Sequence, residues 1–280
     1  MSLTGRKVLV VIITKDIVEQ ECMQSVITQE YPDFDVMVHI SKANKYYTNS
    51  QDPRHESYVN QYINCPENRN KARRLALASD ADYFLFVDSD TVLPSHAISK
   101  LMLNKKDAVG GYYHACGDSK NYVAGSYQKN SKGQDIFMHV FEIRKGTWSV
   151  DMIGLGCALI SRKLLEQVEF EDGLDLLTLQ ANYDKPWQHT PPQFIKTPEN
   201  VDFELHPGLE EPKYGNMGEC SAFGFRARGK GFKLWMDGGV EVLKHLTREG
   251  HYTTIPEVKK ENLNDNGDSK KEVRIKRKAT

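Results

Sequence analysis

The sequence lacks several features that would define other classes of protein. No apolar run approaches the roughly 20 residues needed to span a bilayer. The stretch Val8 to Ile13 near the start is too short for the core of a secretory signal with proper flanks. Five cysteines, at positions 22, 65, 116, 157 and 220, include no Cys-x-x-Cys pair. Their scatter argues against a zinc knuckle and a disulfide framework and predicts a reducing, cytoplasmic setting. A charge excess is missing too: 37 Lys and Arg face 38 Asp and Glu, so no global field calls for nucleic acid as an obligate partner.

What is present suffices for a large core. At 280 residues, with 39% apolar and 10% aromatic side chains, the chain can fold as one large α/β domain or two small ones. Val8 to Ile13 reads as a buried strand, Ile17 to Thr28 as a helix broken at Tyr31-Pro32, and Phe34 to Ile40 as a second strand. Residues 42–66 are polar and carry no clear period. Asn68 to Ser79 predicts a helix with Ala72, Leu75, Ala76 and Ala78 as its stripe, leading into the strand Tyr83 to Val87. Pro94 and Ser95 open another helix, and Ala108 to Tyr113 is the next strand.

The second half reads differently. Short strands are expected in 122–150 with turns at Lys132-Gly133 and Lys145-Gly146, then a glycine-bearing strand from Met152 to Ile160 whose small residues permit close backbone approach. A short helix holds Leu164, Leu165 and Val168. The long irregular stretch Glu171 to Met217 is the candidate acceptor-side loop. From Gly218 the order is helix, a Gly229-Lys230-Gly231 turn, a strand Phe232 to Met236, and an alternating run Val240 to His245. Residues 256–280 lose their aromatics and read as a flexible charged tail. Its basic end, Val273 to Lys278, offers at most a weak peripheral contact with an anionic surface.

Asp88-Ser89-Asp90 is the most informative motif. It follows a strand apolar at five successive positions, which should be covered on both faces and should end at the ligand crevice of an α/β sheet. An Asp-Ser-Asp-Thr tetrad is also ordinary turn and cap chemistry. Two carboxylates two residues apart, however, suit a divalent cation bound together with substrate phosphates. A lone histidine is usually structural, yet His245 at the end of its run supplies a third ligand type for such a site.

The order of Val8–Ile13, Cys22 to Phe34 (with Ser25-Val26 and Gln29-Glu30-Tyr31-Pro32-Asp33-Phe34), Arg69-Asn70, Asp88-Ser89-Asp90, Gly218-Glu219, Gly229-Lys230-Gly231-Phe232 and His245 resembles GT-A fold glycosyltransferases, especially the family-2-like group. The resemblance covers most of residues 7–115 and 150–248. It implies an α/β GT-A fold, a Rossmann-like mixed sheet flanked by helices. One domain, 1–255, would comprise a nucleotide-binding half, 1–115, and an acceptor-side half, 116–255, followed by the tail 256–280.

The activity implied is metal-dependent transfer of a sugar, of hexosyl type, from a UDP- or GDP-sugar donor to a hydroxyl of a glycan, protein or other acceptor. Thr14, Lys15 and Asp16 would lie near the base and ribose, and Arg69 or Arg73 near the nucleotide or its phosphates. Asp88, Ser89 and Asp90 would manage the diphosphate. Asp90 would bind Mn²⁺ (or Mg²⁺) directly, Asp88 would contact ribose or a metal-bound water, and His245 would complete the metal's protein ligands.

The chain departs from the family pattern in two places. The second strand ends His39-Ile40-Ser41-Lys42 without the acidic residue that commonly reads the base. Cys220 follows Glu219 where an aspartate often serves as general base, and a thiol replaces a carboxylate poorly in that role. Glu219 itself, a nearby acid such as Asp151, or a retaining reaction with no dedicated base are the three explanations, with Glu219 preferred. Two other readings compete: a nucleotidyltransferase, against which stands the absence of glycine in Ile13-Thr14-Lys15-Asp16, and a non-catalytic nucleotide- or carbohydrate-binding domain.

Overall fold

The strands Val8–Thr14 (β1) and Tyr83–Asp88 (β3) send alternate side chains into two apolar layers. Leu9, Val11, Phe84 and Phe86 belong to one layer, and Val8, Val10, Ile12, Leu85 and Val87 to the other. A strand with a core on each face has no solvent side, which is why its sequence is continuously apolar rather than alternating. The computed structural model describes residues 5–14, 17–41, 53–113, 122–129, 135–140, 142–170, 219–242 and 244–245. The expected acceptor-side loop and charged tail, and Lys15 and Asp16, lie outside the described residues.

The two strands sit in a seven-stranded mixed sheet of order β2-β1-β3-β10-β5-β11-β8. Its other members are Phe34–Ile40 (β2), Ala108–Tyr112 (β5), Thr147–Val150 (β8), Cys157–Ser161 (β10) and Leu234–Glu241 (β11). β1 is parallel to both β2 and β3, while β10 is antiparallel between β3 and β5. A smaller sheet joins Ala124–Lys129 (β6), Asp135–His139 (β7) and Met152–Ile153 (β9), and a two-stranded ribbon pairs Thr91–Val92 (β4) with Lys244–His245 (β12).

Helices Gln20–Ile27 (α1) and Ala97–Leu103 (α3) contribute Cys22, Val26, Ile98 and Leu101 to the layer under Val10 and Leu85. The opposite layer is covered by Pro53–Leu77 (α2), Arg162–Gln167 (α4) and Glu219–Gly229 (α5). Phe170 is fully buried there, edge-on to Phe86 at 5.0 Å and stacked on Phe223 at 4.8 Å. Asn70 holds its backbone, accepting from Phe170 N–H at 2.8 Å and donating to the Phe170 carbonyl.

Three elements differ from the sequence expectation. Helix α2 begins at Pro53 rather than near Asn68 and carries Pro66 inside it. Its first half is polar and lacks an apolar stripe, so no period announces it. The expected strand Met152 to Ile160 breaks into β9 and β10 around a Gly154-Leu155-Gly156 turn. The run Val240 to His245 is likewise divided between the end of β11 and β12.

Close helix packing depends on one glycine. A Cβ on Gly224 would fall inside the van der Waals radius of the Asp151 carbonyl oxygen, so α5 can lie against the segment leading into β9 only without a side chain there. Gly224→Ala is expected to lower stability by about 1–3 kcal/mol, the usual cost of overpacking a filled contact, read as a lower urea midpoint with unchanged slope.

Candidate active site

Parallel pairing brings the carboxyl ends of β1, β2 and β3 together, with Ile13 opposite Asp88 and Thr14 opposite Ile40. Thr14 is buried, and its carbonyl accepts from the Ser41 N–H at 2.7 Å and the Ser41 hydroxyl at 2.9 Å. Asp88 closes β3, and Ser89-Asp90 turn the chain into β4. The turn is pinned to the start of α1: Glu19 N–H donates to the Ser89 carbonyl at 3.0 Å, and the Cys22 thiol approaches the Asp88 carbonyl at 3.5 Å.

The ribbon of β4 and β12 sets His245 opposite Thr91, the residue after Asp90. The backbone of a residue far downstream is thereby brought beside the Asp-x-Asp turn, while the His245 side chain lies outside the described atoms. Among the described side chains, which exclude that of His245, no three His, Cys, Asp or Glu groups converge as metal ligands.

Asp88 is bound by a buried cation. Arg69, from the middle of α2, donates from NH2 to Asp88 Oδ1 at 2.6 Å and from NH1 to the Leu155 carbonyl at 3.4 Å. Its Nε lies 2.7 Å from Glu219 Oε1, a close ion contact without hydrogen-bond alignment. Burial works against the guanidinium charge, but Glu219 and then Asp88 more than offset it and raise the Arg69 pKa well above its ordinary value. One residue thus ties together the end of β3, the glycine turn and the first residue of α5.

The glycine turn is built to that contact. A Cβ on Gly156 would sit 2.5 Å from Asp88 Oδ2 and 2.8 Å from the Tyr113 hydroxyl, and one on Gly154 would sit 2.5 Å from the same hydroxyl. Gly156 N–H donates to the Tyr113 oxygen at 2.8 Å. Burial, and then the Asp88 charge, push the Tyr113 pKa well up, so the phenol stays neutral. Tyr113 was not singled out in the sequence, where it ends a strand and reads as core. The paired glycines were the available signal.

Cys220, next to Glu219, has its thiol pushed up to about 12, first by burial and then by the Glu219 charge. A thiol so placed is protonated at neutral pH and cannot act as a base. The other candidates sit apart from the Arg69 cluster. Arg73 donates from Nε to the Leu165 carbonyl at 2.7 Å, from NH2 to the Glu166 carbonyl at 3.2 Å, and pairs with Glu169 at 3.0 Å. It closes the carboxyl end of α4 and is brought to none of the Asp88 contacts. Asp151 accepts from Tyr127 N–H at 2.7 Å through Oδ2 and pairs with Arg228 through Oδ1. Both of its oxygens are engaged by that separate cluster.

The family model for glycosyl transferase family 2 matches residues 19–169, more than half of the 280 residues, and the chain belongs to this family. Its fold is GT-A and its chemistry is glycosyl transfer. Among solved structures it is similar to A197 from STIV, with 14% identity over 96% of this chain and 100% of that one, at a TM-score of 0.48. It is also similar to S. aureus TarS, with 16% identity over 59% of this chain and 30% of that one, at a TM-score of 0.36. Comparison with curated proteins finds no significant match.

Two measurements check this geometry. Arg69→Met would leave two carboxylates without their shared cation, and a loss of about 3–5 kcal/mol is expected in urea denaturation at neutral pH; a change under about 1 kcal/mol would contradict a structural ion bridge. Burial also pushes the thiols of Cys22 and Cys157 up to about 12, as it does that of Cys220. Above the ordinary thiol value of 9.0 the unfolded chain releases these protons while the folded chain keeps them. Their contribution is therefore complete below that value and lost as pH rises toward about 12. The urea midpoint should fall between about pH 8 and about pH 10.5, and less steeply after Cys22→Ala.

Proposed function

We propose that this glycosyltransferase is divalent-cation dependent and takes its sugar, a hexosyl group, from a UDP- or GDP-linked donor for delivery to a hydroxyl of a glycan, protein or other acceptor. The observation that carries the reading is the Asp88-Ser89-Asp90 turn at the carboxyl ends of parallel strands, with the His245 backbone paired beside it. Carboxylate and imidazole donors, completed by phosphate oxygens, suit Mn²⁺ and accept Mg²⁺. All three members of the Asp-x-Asp turn are partly exposed rather than buried, as groups that meet a ligand must be. Asp90 and His245 would hold the cation, which when bound supplies positive charge to the departing diphosphate.

The chain's own residues do the rest. Arg69 fixes the Asp88 carboxylate through Oδ1, and Asp88 would then contact the donor's ribose or a water beside the cation. Thr14, at the end of β1, borders the nucleotide crevice. Glu219 is the proton acceptor from the attacking hydroxyl: it shares the Arg69 cluster with Asp88, whereas Asp151 is consumed by Arg228 and Tyr127 and Cys220 holds its proton. Arg69 stands beside Glu219 as its counter-charge, and the Glu219 side chain is 12% exposed. Free thiols at Cys22, Cys65, Cys157 and Cys220 support a reducing, cytoplasmic setting, and no helix among the described residues is long and apolar enough to cross a membrane.

The test is a donor-hydrolysis screen of UDP- and GDP-sugars with and without Mn²⁺. Asp90→Asn is expected to abolish both Mn²⁺-enhanced nucleotide binding and donor cleavage; wild-type values in that variant would reject the cation site. Glu219→Gln should lower turnover by roughly 10²–10⁴-fold, the range for losing a general base, with nucleotide affinity changed only a few-fold. Undiminished turnover would remove Glu219 from the mechanism and favour a retaining reaction.

A further inference from the structure

We propose that a lysine-lined groove at the opposite end of the sheet from Asp88 is a second binding site, taking a compact phosphate-bearing anion. The groove has a volume of about 400 Å³ and is lined by Lys105, Lys106, Lys163, Lys230 and Lys233, with Trp235 and Phe232 in its walls. Three separate segments build it: the loop before β5, the helix α4 that follows Ser161, and the turn that opens β11. Ser161 pairs with Tyr83, the first residue of β3, whereas Asp88 is the last. The lysines therefore belong to the end of the sheet remote from the donor turn.

The charge here is concentrated, although the whole chain is nearly neutral. The one acid in the lining, Asp107, is committed: its Oδ1 accepts from the Ser161 hydroxyl at 2.8 Å and its carbonyl from the Ser161 N–H at 2.7 Å. Two lysines are held over aromatic rings, Lys106 Nζ at 3.8 Å from the centre of Trp235 and Lys163 Nζ at 5.4 Å from that of Phe232. Such contacts hold an ammonium in place without neutralising it, since a ring face carries no net charge. Lys105 stands at φ +53°, a left-handed backbone that glycine ordinarily fills, and Gly231 across the groove stands at +82°. Lys105 follows Asn104, the C-cap of α3, and its N–H donates to the Met102 carbonyl at 3.2 Å, the left-handed ending common to helices.

Five lysines lining a concavity of this size match a small polyanion. Lysines act as point charges without the planar fork of arginine, so they suit phosphate oxygens of varied geometry more than one carboxylate held in a fixed plane. A free phosphorylated compound and a phosphorylated lipid headgroup present the same chemistry.

Two probes separate these sources: pyrophosphate titrated by calorimetry in the absence of divalent cations, and flotation with phosphatidylcholine vesicles with or without phosphatidylinositol phosphate. Each is read on the full chain and on Lys230→Gln/Lys233→Gln, whose substitutions lie on the exposed turn. The expected result is pyrophosphate binding that weakens roughly ten-fold in the double variant and falls with ionic strength, with a Trp235 fluorescence change absent from Trp235→Phe. Vesicle binding that needs the phosphorylated lipid and is lost in the double variant assigns the groove to a headgroup instead. Binding of neither probe, or equal binding by wild type and double variant, overturns the proposal.

Discussion

A single buried guanidinium holds the candidate active site together. Arg69 is 7% exposed, and carboxylates arriving from two other parts of the chain offset the burial of its charge. The planar fork offers donors in several directions at once, and here they reach Asp88 at the end of β3, the Leu155 carbonyl in the glycine turn, and Glu219 at the start of α5. Withdrawing the guanidinium would leave two carboxylates uncompensated in a low-dielectric setting, which is why such bridges are costly to break even when they add little to net stability. The consequence for function is positional. The residue that closes β3 and the residue that begins α5 are held at one fixed separation.

The same low dielectric decides which groups near the cluster carry charge. The Cys220 thiol and the Tyr113 phenol are both raised by burial and then by a neighbouring carboxylate, so both stay protonated at neutral pH. Arg69, by contrast, is held charged by the two carboxylates it faces. Cys220 is therefore no alternative base: its thiol keeps its proton beside the Glu219 carboxylate that Arg69 contacts. At the other end of the sheet the balance is reversed, with lysines gathered around aromatic walls and their one acid tied to Ser161. The strands separate two electrostatic environments that a near-zero net charge conceals.

Much of the fold could be read along the chain, since an apolar run such as Tyr83 to Val87 has only one arrangement that buries both faces. Helix α2 was half hidden, because its first turns are polar and Pro66 interrupts the pattern, yet it is the element that delivers Arg69, Asn70 and Arg73. These three residues have one composition signature and three separate destinations. Arg69 serves the Asp88 cluster, Asn70 fastens the Phe170 backbone, and Arg73 closes α4. Position along a helix says which face a side chain leaves from, but the partner on that face comes from a strand or helix many residues away.

The sequence alone determined the family, glycosyl transferase family 2 over residues 19–169, and a doubly buried strand that ends in two aspartates. Local patterning can do this because strand burial and turn chemistry are set by neighbouring residues. Only the tertiary structure decided that Arg69 and not Arg73 meets the aspartate, that Glu219 and not Asp151 joins it, and that β12 pairs beside Asp90. Those outcomes depend on long-range contacts between segments, where a buried charge accepts only the partner that the packing brings within reach.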